Sequence, residues 1–402
     1  MKTVLAATAT AVALIGLPAA ADPDPTDWDA VLAEARGQTV YWNAWGGSDV
    51  VNGFIASIGE EAADYGITLE QVKLSDTAEA VSRVLAEKSA GKDDGGAVDL
   101  IWINGENFAS MKDQGLLFGP WADDLPNRQL TDPMANPSLT ADFTVPTEGM
   151  ESPWGMAQLV FFHDSARLAE PPRSMATLLA WAQANPGRFT FPQPPDYLGS
   201  TFLKQALLEL TPDMDALSQP VEDTDYDTIT EPLWAYMEAL TPVLWRQGRA
   251  YPQTGARMIQ LMADNEIDIA FEFNPNAAAN AIANDQLPPS VRSHVHDGGT
   301  VGNASFVAIP YNANAKAGAM VVANLLLSPA AQARMSDPAV WGQGTVLAMD
   351  RLSAEDRAVF DAIELGEATL TPEELGPTLP EPHPSWMVKL EEDWTRRFGV
   401  TE

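Results

Sequence analysis

The chain has 402 residues, 46% hydrophobic and 20% charged; this globular composition excludes disorder and collagen-like repeats, and the length exceeds what one hydrophobic core of about 250–300 residues supports. Its 56 acidic and 23 basic residues give a formal net charge of −33, which excludes nucleic acid and anionic membrane surfaces as partners. There is no cysteine, so disulfides, thiol catalysis, Cys-ligated zinc and a lipidated N-terminal Cys are excluded as well. The charge itself fits plain solubility or the attraction of a cationic ligand; its count does not choose between them.

In chain order, Met1-Lys2 is a short basic start and residues 3–17 form an uncharged apolar run. Pro18 and Ala19-Ala20-Ala21 follow, so residues 1–21 are expected to be a secretory signal cleaved after Ala21. The run is shorter than the roughly 20 apolar residues that span a bilayer. Thr26-x-x-Asp29 reads as a capping box ahead of Trp28, Val31, Leu32 and Ala35 at helical spacing. Strands are predicted over 39–43, 67–74 and 98–103, with helices after Ser48 and around 76–85. This β-α-β-α-β alternation argues for an α/β fold with a parallel sheet covered by helices. Residues 119–153 are rich in Pro, Asp and Asn, and 151–163 read as an extended connection into a strand. Beyond it lie a helix over 177–184, a short strand over 188–191, and a helix starting at Gly199-Ser200-Thr201. Helices follow over 231–245 and 255–263, then a buried strand over 267–273. A second extended segment, 299–310, returns the chain, Ser328-Pro329 opens a helix, and the Pro-interrupted tail from about 350 is mostly helical. Two crossings between lobes make a hinge around a cleft.

Three stretches carry a resemblance. They are Val98-Asp99-Leu100-Ile101-Trp102-Ile103-Asn104-Gly105-Glu106-Asn107-Phe108 with Gln114 to Trp121, then Trp154-Gly155-Met156-Ala157-Gln158-Leu159-Val160, then Leu325-Leu326-Leu327-Ser328-Pro329-Ala330-Ala331-Gln332. In these the chain resembles the bacterial extracellular solute-binding proteins of ABC importers, more closely the YnjB-like branch. The resemblance implies a two-lobed periplasmic-binding-protein fold of type II-like form, with hinged lobes that each hold a central, mostly parallel sheet. It implies a periplasmic location, a small-molecule solute, and ABC permease subunits in the inner membrane as partners. No cofactor and no metal are expected, and a monomer is. The expected division is 22–155 for the first part of lobe 1, 156–298 for lobe 2, 299–349 for the return to lobe 1, and 350–402 for a C-terminal helical segment packing on the lobes.

In open α/β sheets, ligands collect where strand ends meet helix N-termini. That rule selects Asn43, Trp45, Gly46, Gly47 and Ser48 after the first strand, and Asn104, Glu106 and Asn107 after the third. In the second lobe it selects Tyr197, Ser200 and Thr201 at a helix start, and Glu272, Asn274 and Asn276 after the late strand; Trp154 lies on the hinge. Each has a structural alternative as turn, cap or packing residue. Tryptophans near strand ends with Glu106 and Glu272 favour a cationic or zwitterionic ligand, whereas helix N-termini favour an anion. The alternative function is a periplasmic hydrolase using paired carboxylates across the cleft. No P-loop or G-x-S-x-G elbow occurs. Asp223-x-Asp225-x-Asp227 lacks the Gly and Glu of a Ca²⁺ loop and reads as a solvated loop, and His294-x-His296 reads as surface.

Overall fold

A computed structural model describes residues 22–376 and 378–400; the expected signal segment lies outside the described residues. The first stretch alternates as the sequence predicts: α1 (Trp28–Ala35), β1 (Thr39–Trp45), α2 (Asp49–Asp64), β2 (Thr68–Leu74), α3 (Ala78–Ser89), β3 (Leu100–Ile103) and α4 (Glu106–Asp113). The cap of α1 is Asp27 rather than Thr26, its carboxylate accepting from Ala30 N. β1 pairs in parallel with β2 over its whole length and with β3 at Trp42 and Asn43. α2 buries Val51, Phe54, Ile55, Ile58 and Ala62, the apolar stripe of a helix lying on a sheet.

A small hairpin of β4 (Ala141–Asp142) and β5 (Val145–Pro146) leads to β6 (Glu151–Gln158) and β7 (Val160–Asp164). The second lobe then adds α5 (Met175–Ala184), α6 (Tyr197–Leu210), α7 (Tyr226–Leu240), α8 (Gly255–Ala263), β8 (Ile269–Glu272), α9 (Ala277–Ala283) and β9 (Val291–His294). The chain returns through β10 (Thr300–Ala308) to α10 (Lys316–Leu326), α11 (Pro329–Ser336) and α12 (Ala354–Asp361). It ends with α13 (Pro372–Leu375), β11 (Thr378–Leu379) and α14 (Pro384–Phe398).

The molecule is two-lobed. One core gathers Val40, Trp42, Phe54, Trp154, Met320 and their neighbours around the larger sheet. The other gathers Phe161, Phe191, Phe202, Phe271, Trp386 and Trp394 around the smaller one. The connecting strands β6 and β10 run antiparallel side by side, from Glu151 opposite Ala308 to Gln158 opposite Gly302. Gly302 is squeezed here: a Cβ would stand 2.6 Å from both Ala157 O and Thr378 Cγ2, so only glycine fits between β6 and β11.

The small sheet corrects one expectation. Its order is β8-β7-β9, and β7 is antiparallel to both neighbours. The physical reason is the hinge: β7 runs outward from β6, so the strand returning to β10 must point the other way. Residues 188–191, expected as a strand, instead form an irregular segment beside Asp268, whose N donates to Arg188 O.

Candidate ligand site between the lobes

The sequence-selected residues fall into three groups. Those after β1 serve local structure. Asn43 is buried and donates to Tyr41 O, Gly46 N donates to Leu74 O, and Ser48 caps α2 through Val51 N. Trp45 is 38% exposed and its ring lies over Gly47, where a Cβ would stand 2.4 Å from it. The hydrogen bonds of this loop stay within lobe 1. Trp154 is a packing residue, a correction to its reading as a hinge contact for ligand. It is fully buried, with Trp102, Trp42 and Trp341 at centroid distances of 4.9, 5.5 and 5.5 Å. The interlobe crossing needed apolar filling at that point, and a ring with no exposed surface cannot meet solute.

The second group does converge. Asn104 Nδ2 donates to Ala304 O at 2.7 Å and to Asp142 Oδ1 at 3.2 Å, and Gly105 N donates to Asp142 Oδ2 at 2.6 Å. The hairpin β4–β5 is thereby pinned to the start of α4, where Glu106 accepts from Asn107 Nδ2 at 2.7 Å. Across from them stands α6, buried at eleven of its fourteen residues. Tyr197 OH accepts from Asn303 Nδ2 at 3.0 Å, and the same amide donates to Glu381 Oε1 at 3.1 Å. Glu381 Oε2 lies 2.7 Å from Lys204 Nζ, a fully buried ion pair. Ser200 Oγ donates to Glu391 Oε1 of α14 at 2.5 Å, while Thr201 Oγ1 is buried without a hydrogen-bond partner. α14 packs against both α6 and α4, so it closes this box from the side.

The electrostatics are lopsided. Glu106, Asp142, Glu381 and Glu391 share the region with one cation, Lys204. Burial pushes the Glu106 carboxyl up, with Lys204 opposing and Asp76 and Glu381 adding repulsion. Burial likewise pushes Glu391 up to about 7 and holds Asp142 well above the usual range, despite the Asn104 and Gly105 bonds.

The third group forms a flank. Glu272 ends β8, accepts from Phe273 N at 2.6 Å, and is pushed up to about 7 by burial with Asp196 repelling it. Phe273 meets Tyr197 edge-on at 5.5 Å, which joins this flank to α6. Asn274 Nδ2 donates to Trp341 O at 3.0 Å and Asn276 Nδ2 to Gly342 O at 2.5 Å, both bonds reaching into lobe 1.

Asp142, Phe143, Lys204, Asn303, Glu381 and Glu391 were not selected from the sequence. Lys204 had a signal, a lone charge inside the apolar run Phe202-Leu203-Lys204-Gln205-Ala206-Leu207. The two tail glutamates had none. His294 and His296, expected at the surface, are buried at 1% and 2% exposure, because α6 covers their face of the sheet through Glu209.

A family model for bacterial extracellular solute-binding proteins matches residues 55–349. Protein YnjB of Escherichia coli (strain K12) is 44% identical over 376 residues, covering 93% of this chain and 95% of that protein. In fold the chain is similar to the periplasmic binding protein AfuA from Actinobacillus pleuropneumoniae with exogenous fructose-6-phosphate bound. The TM-score is 0.63 at 13% identity, covering 90% of this chain and 99% of that one. It is also similar to the spermidine/putrescine ABC transporter substrate-binding protein PotD from Streptococcus pneumoniae, with a TM-score of 0.57 at 15% identity over 90% of this chain and 98% of that one.

Proposed function

The chain belongs to the bacterial extracellular solute-binding proteins, and on that premise we propose that it is a periplasmic receptor that captures a cationic or zwitterionic small molecule between its lobes and passes it, chemically unchanged, to an ABC-type permease. The observation that carries the charge preference is the box of four carboxylates, Glu106, Asp142, Glu381 and Glu391, around the single ammonium of Lys204. One fold neighbour is a spermidine/putrescine protein and another holds fructose-6-phosphate, so the fold leaves ligand charge open and the site has to decide it. Burial holds these carboxyls towards their neutral form; a cation placed among them stabilises the ionised form, and an anion disfavours it further.

The hinge supports capture by closure: β6 and β10 are the paired crossing strands, and both lobes contribute to the box. Delivery to a permease follows from the same reading, as does export of a chain that begins, once mature, at Asp22. The test is thermal denaturation with thiamine-like compounds, polyamines, amino acids, sugars and oxyanions, followed by small-angle scattering with any stabilising compound. Cationic or zwitterionic compounds should stabilise the protein, compact it, and be recovered intact. Stabilisation by sugars or oxyanions alone sinks the charge preference, and turnover of the bound compound favours the hydrolase alternative.

A further inference from the structure

We infer that the ammonium of Lys204 is a tethered occupant of an aromatic-walled cation site, and that the alkylammonium group of the solute takes its place on binding. The inference rests on the receptor reading above and narrows its ligand class to organic amines.

Three contacts define the site. Lys204 Nζ stands 4.5 Å from the ring centroid of Phe143, 5.0 Å from that of Tyr197, and 2.7 Å from Glu381 Oε2. Two ring faces and a carboxylate are the means by which proteins hold ammonium groups away from water. Lys204 itself fills the place incompletely: an ammonium has three donors, yet Nζ, fully buried, makes no well-aligned hydrogen bond beyond its ion pair.

The site is assembled across the cleft. Tyr197, Thr201 and Lys204 lie at i, i+4 and i+7 on one face of α6. Phe143 comes from the lobe 1 hairpin. Its φ of +53° is costly for a residue with a Cβ. Gly105, at φ +59°, makes room for it, since a Cβ there would stand 2.8 Å from the Phe143 ring. Two unusual backbone conformations are thus devoted to placing one ring against the ammonium. Thr201 Oγ1, fully buried and unpartnered, is a further acceptor on the same helix face.

Lys204 is badly placed to read an anionic group of the solute. An anion drawn to it would meet Glu106, Asp142, Glu381 and Glu391. Nor do the carboxylates converge on a metal ion: among the described residues, no group of three His, Cys, Asp or Glu is arranged to hold one. What fits is a cation on an organic stem, which is what Lys204 is.

The test uses full-length Lys204→Ala, with methylammonium chloride against sodium chloride at equal ionic strength. Methylammonium should raise the melting temperature of the variant by about 3 °C at a hundredfold excess over its dissociation constant, and leave the native protein unmoved. A cationic solute from the panel above should bind the variant about tenfold more tightly, because the competitor is gone. Equal melting temperatures in the two salts overturn the inference, as does a variant that loses the solute. Should the alanine variant fail to fold, Phe143→Leu in the otherwise native chain serves, since it removes one ring wall of the site and no charge. There cation affinity should drop about tenfold, and unchanged affinity overturns the inference. A native protein that compacts with solute while Lys204→Ala ignores methylammonium leaves the receptor standing and removes only this assignment.

Discussion

Glu272 shows what a single half-buried carboxylate does to this molecule. Its oxygens lie against the start of α8, where a Cβ on Gly255 would be 2.7 Å from Oε1, and near the α6 cap Asp196. Among the described residues no cation compensates it; the backbone N–H groups of Phe273 and Asn274 are what oppose the shift. Burial therefore moves its titration from the ordinary 4.5 up to about 7. The sign follows from proton counting. Between those values the native state keeps a proton that the unfolded chain has released, so this contribution to stability is present at low pH and is lost as pH rises through about 7. Glu272→Gln keeps the shape and the acceptor but has no charge to bury. The variant should match the native protein near pH 4.5 and exceed it by about 3 kcal/mol above pH 7.5, as read by chemical denaturation across that range. An advantage that stays constant with pH would mean that Glu272 is solvated.

At the scale of elements, the small sheet carries the opposite titration. Phe161, His163, His294 and His296 share one face of β7 and the strand beside it. His163 and His294 meet Nδ1 to Nδ1 at 3.1 Å, and His296 stacks on Phe161 at 4.4 Å. The charged neighbours are Arg173, Arg292 and Asp164, with Glu209 of α6 on His296. Burial, then Arg173, pushes His163 down to about 4, and burial holds His294 well below the ordinary histidine range. Here the unfolded chain takes up protons first, so stability is intact above about 6.5 and drains away as pH falls towards 4. His163→Gln should flatten that acid limb by about 3 kcal/mol between pH 6.5 and 4, measured by denaturation against the native protein at each pH. An unchanged limb would mean that His163 titrates normally. These histidines also mark where sequence reading stops. The alternation of β1, α2, β2, α3 and β3 was legible because the helices carry periodic apolar faces, α2 begins at a Ser48 cap, and β1 and β3 are short apolar runs. Polar residues alternating along a strand signal a solvent face, and here that face is roofed by α6, an element 87 residues away in sequence at the Glu209 contact with His296. Local pattern holds no trace of such a roof.

The same limit governs the whole molecule. Both hinge strands were legible as unbroken extended runs. The third crossing was not: α14 returns to lobe 2 with Trp386, Leu390 and Trp394 in its core, and its Glu391 meets Ser200 from 191 residues away. Two of the four box carboxylates, Glu381 and Glu391, therefore come from a tail whose own sequence says only Pro-interrupted and mostly helical. Its charge is different, since it reaches beyond any one contact. With 56 acidic and 23 basic residues, the surface field draws cations from a distance and the box then receives them at short range. These two effects separate by their response to salt. Long-range attraction is screened once the Debye length falls from roughly 20 Å to about 4 Å, whereas contacts inside a closed cleft are shielded from counter-ions. For a cationic solute, the association rate should fall about tenfold between roughly 20 mM and 500 mM NaCl, while the dissociation rate changes less than about twofold. Tryptophan fluorescence in a stopped-flow mixer can follow both, because Trp341 joins the lobes through the Asn274 bond and senses their closure. A neutral solute would show a flat association rate and an anionic one a rise with salt; either trace would show that the −33 charge has no part in recruiting the ligand.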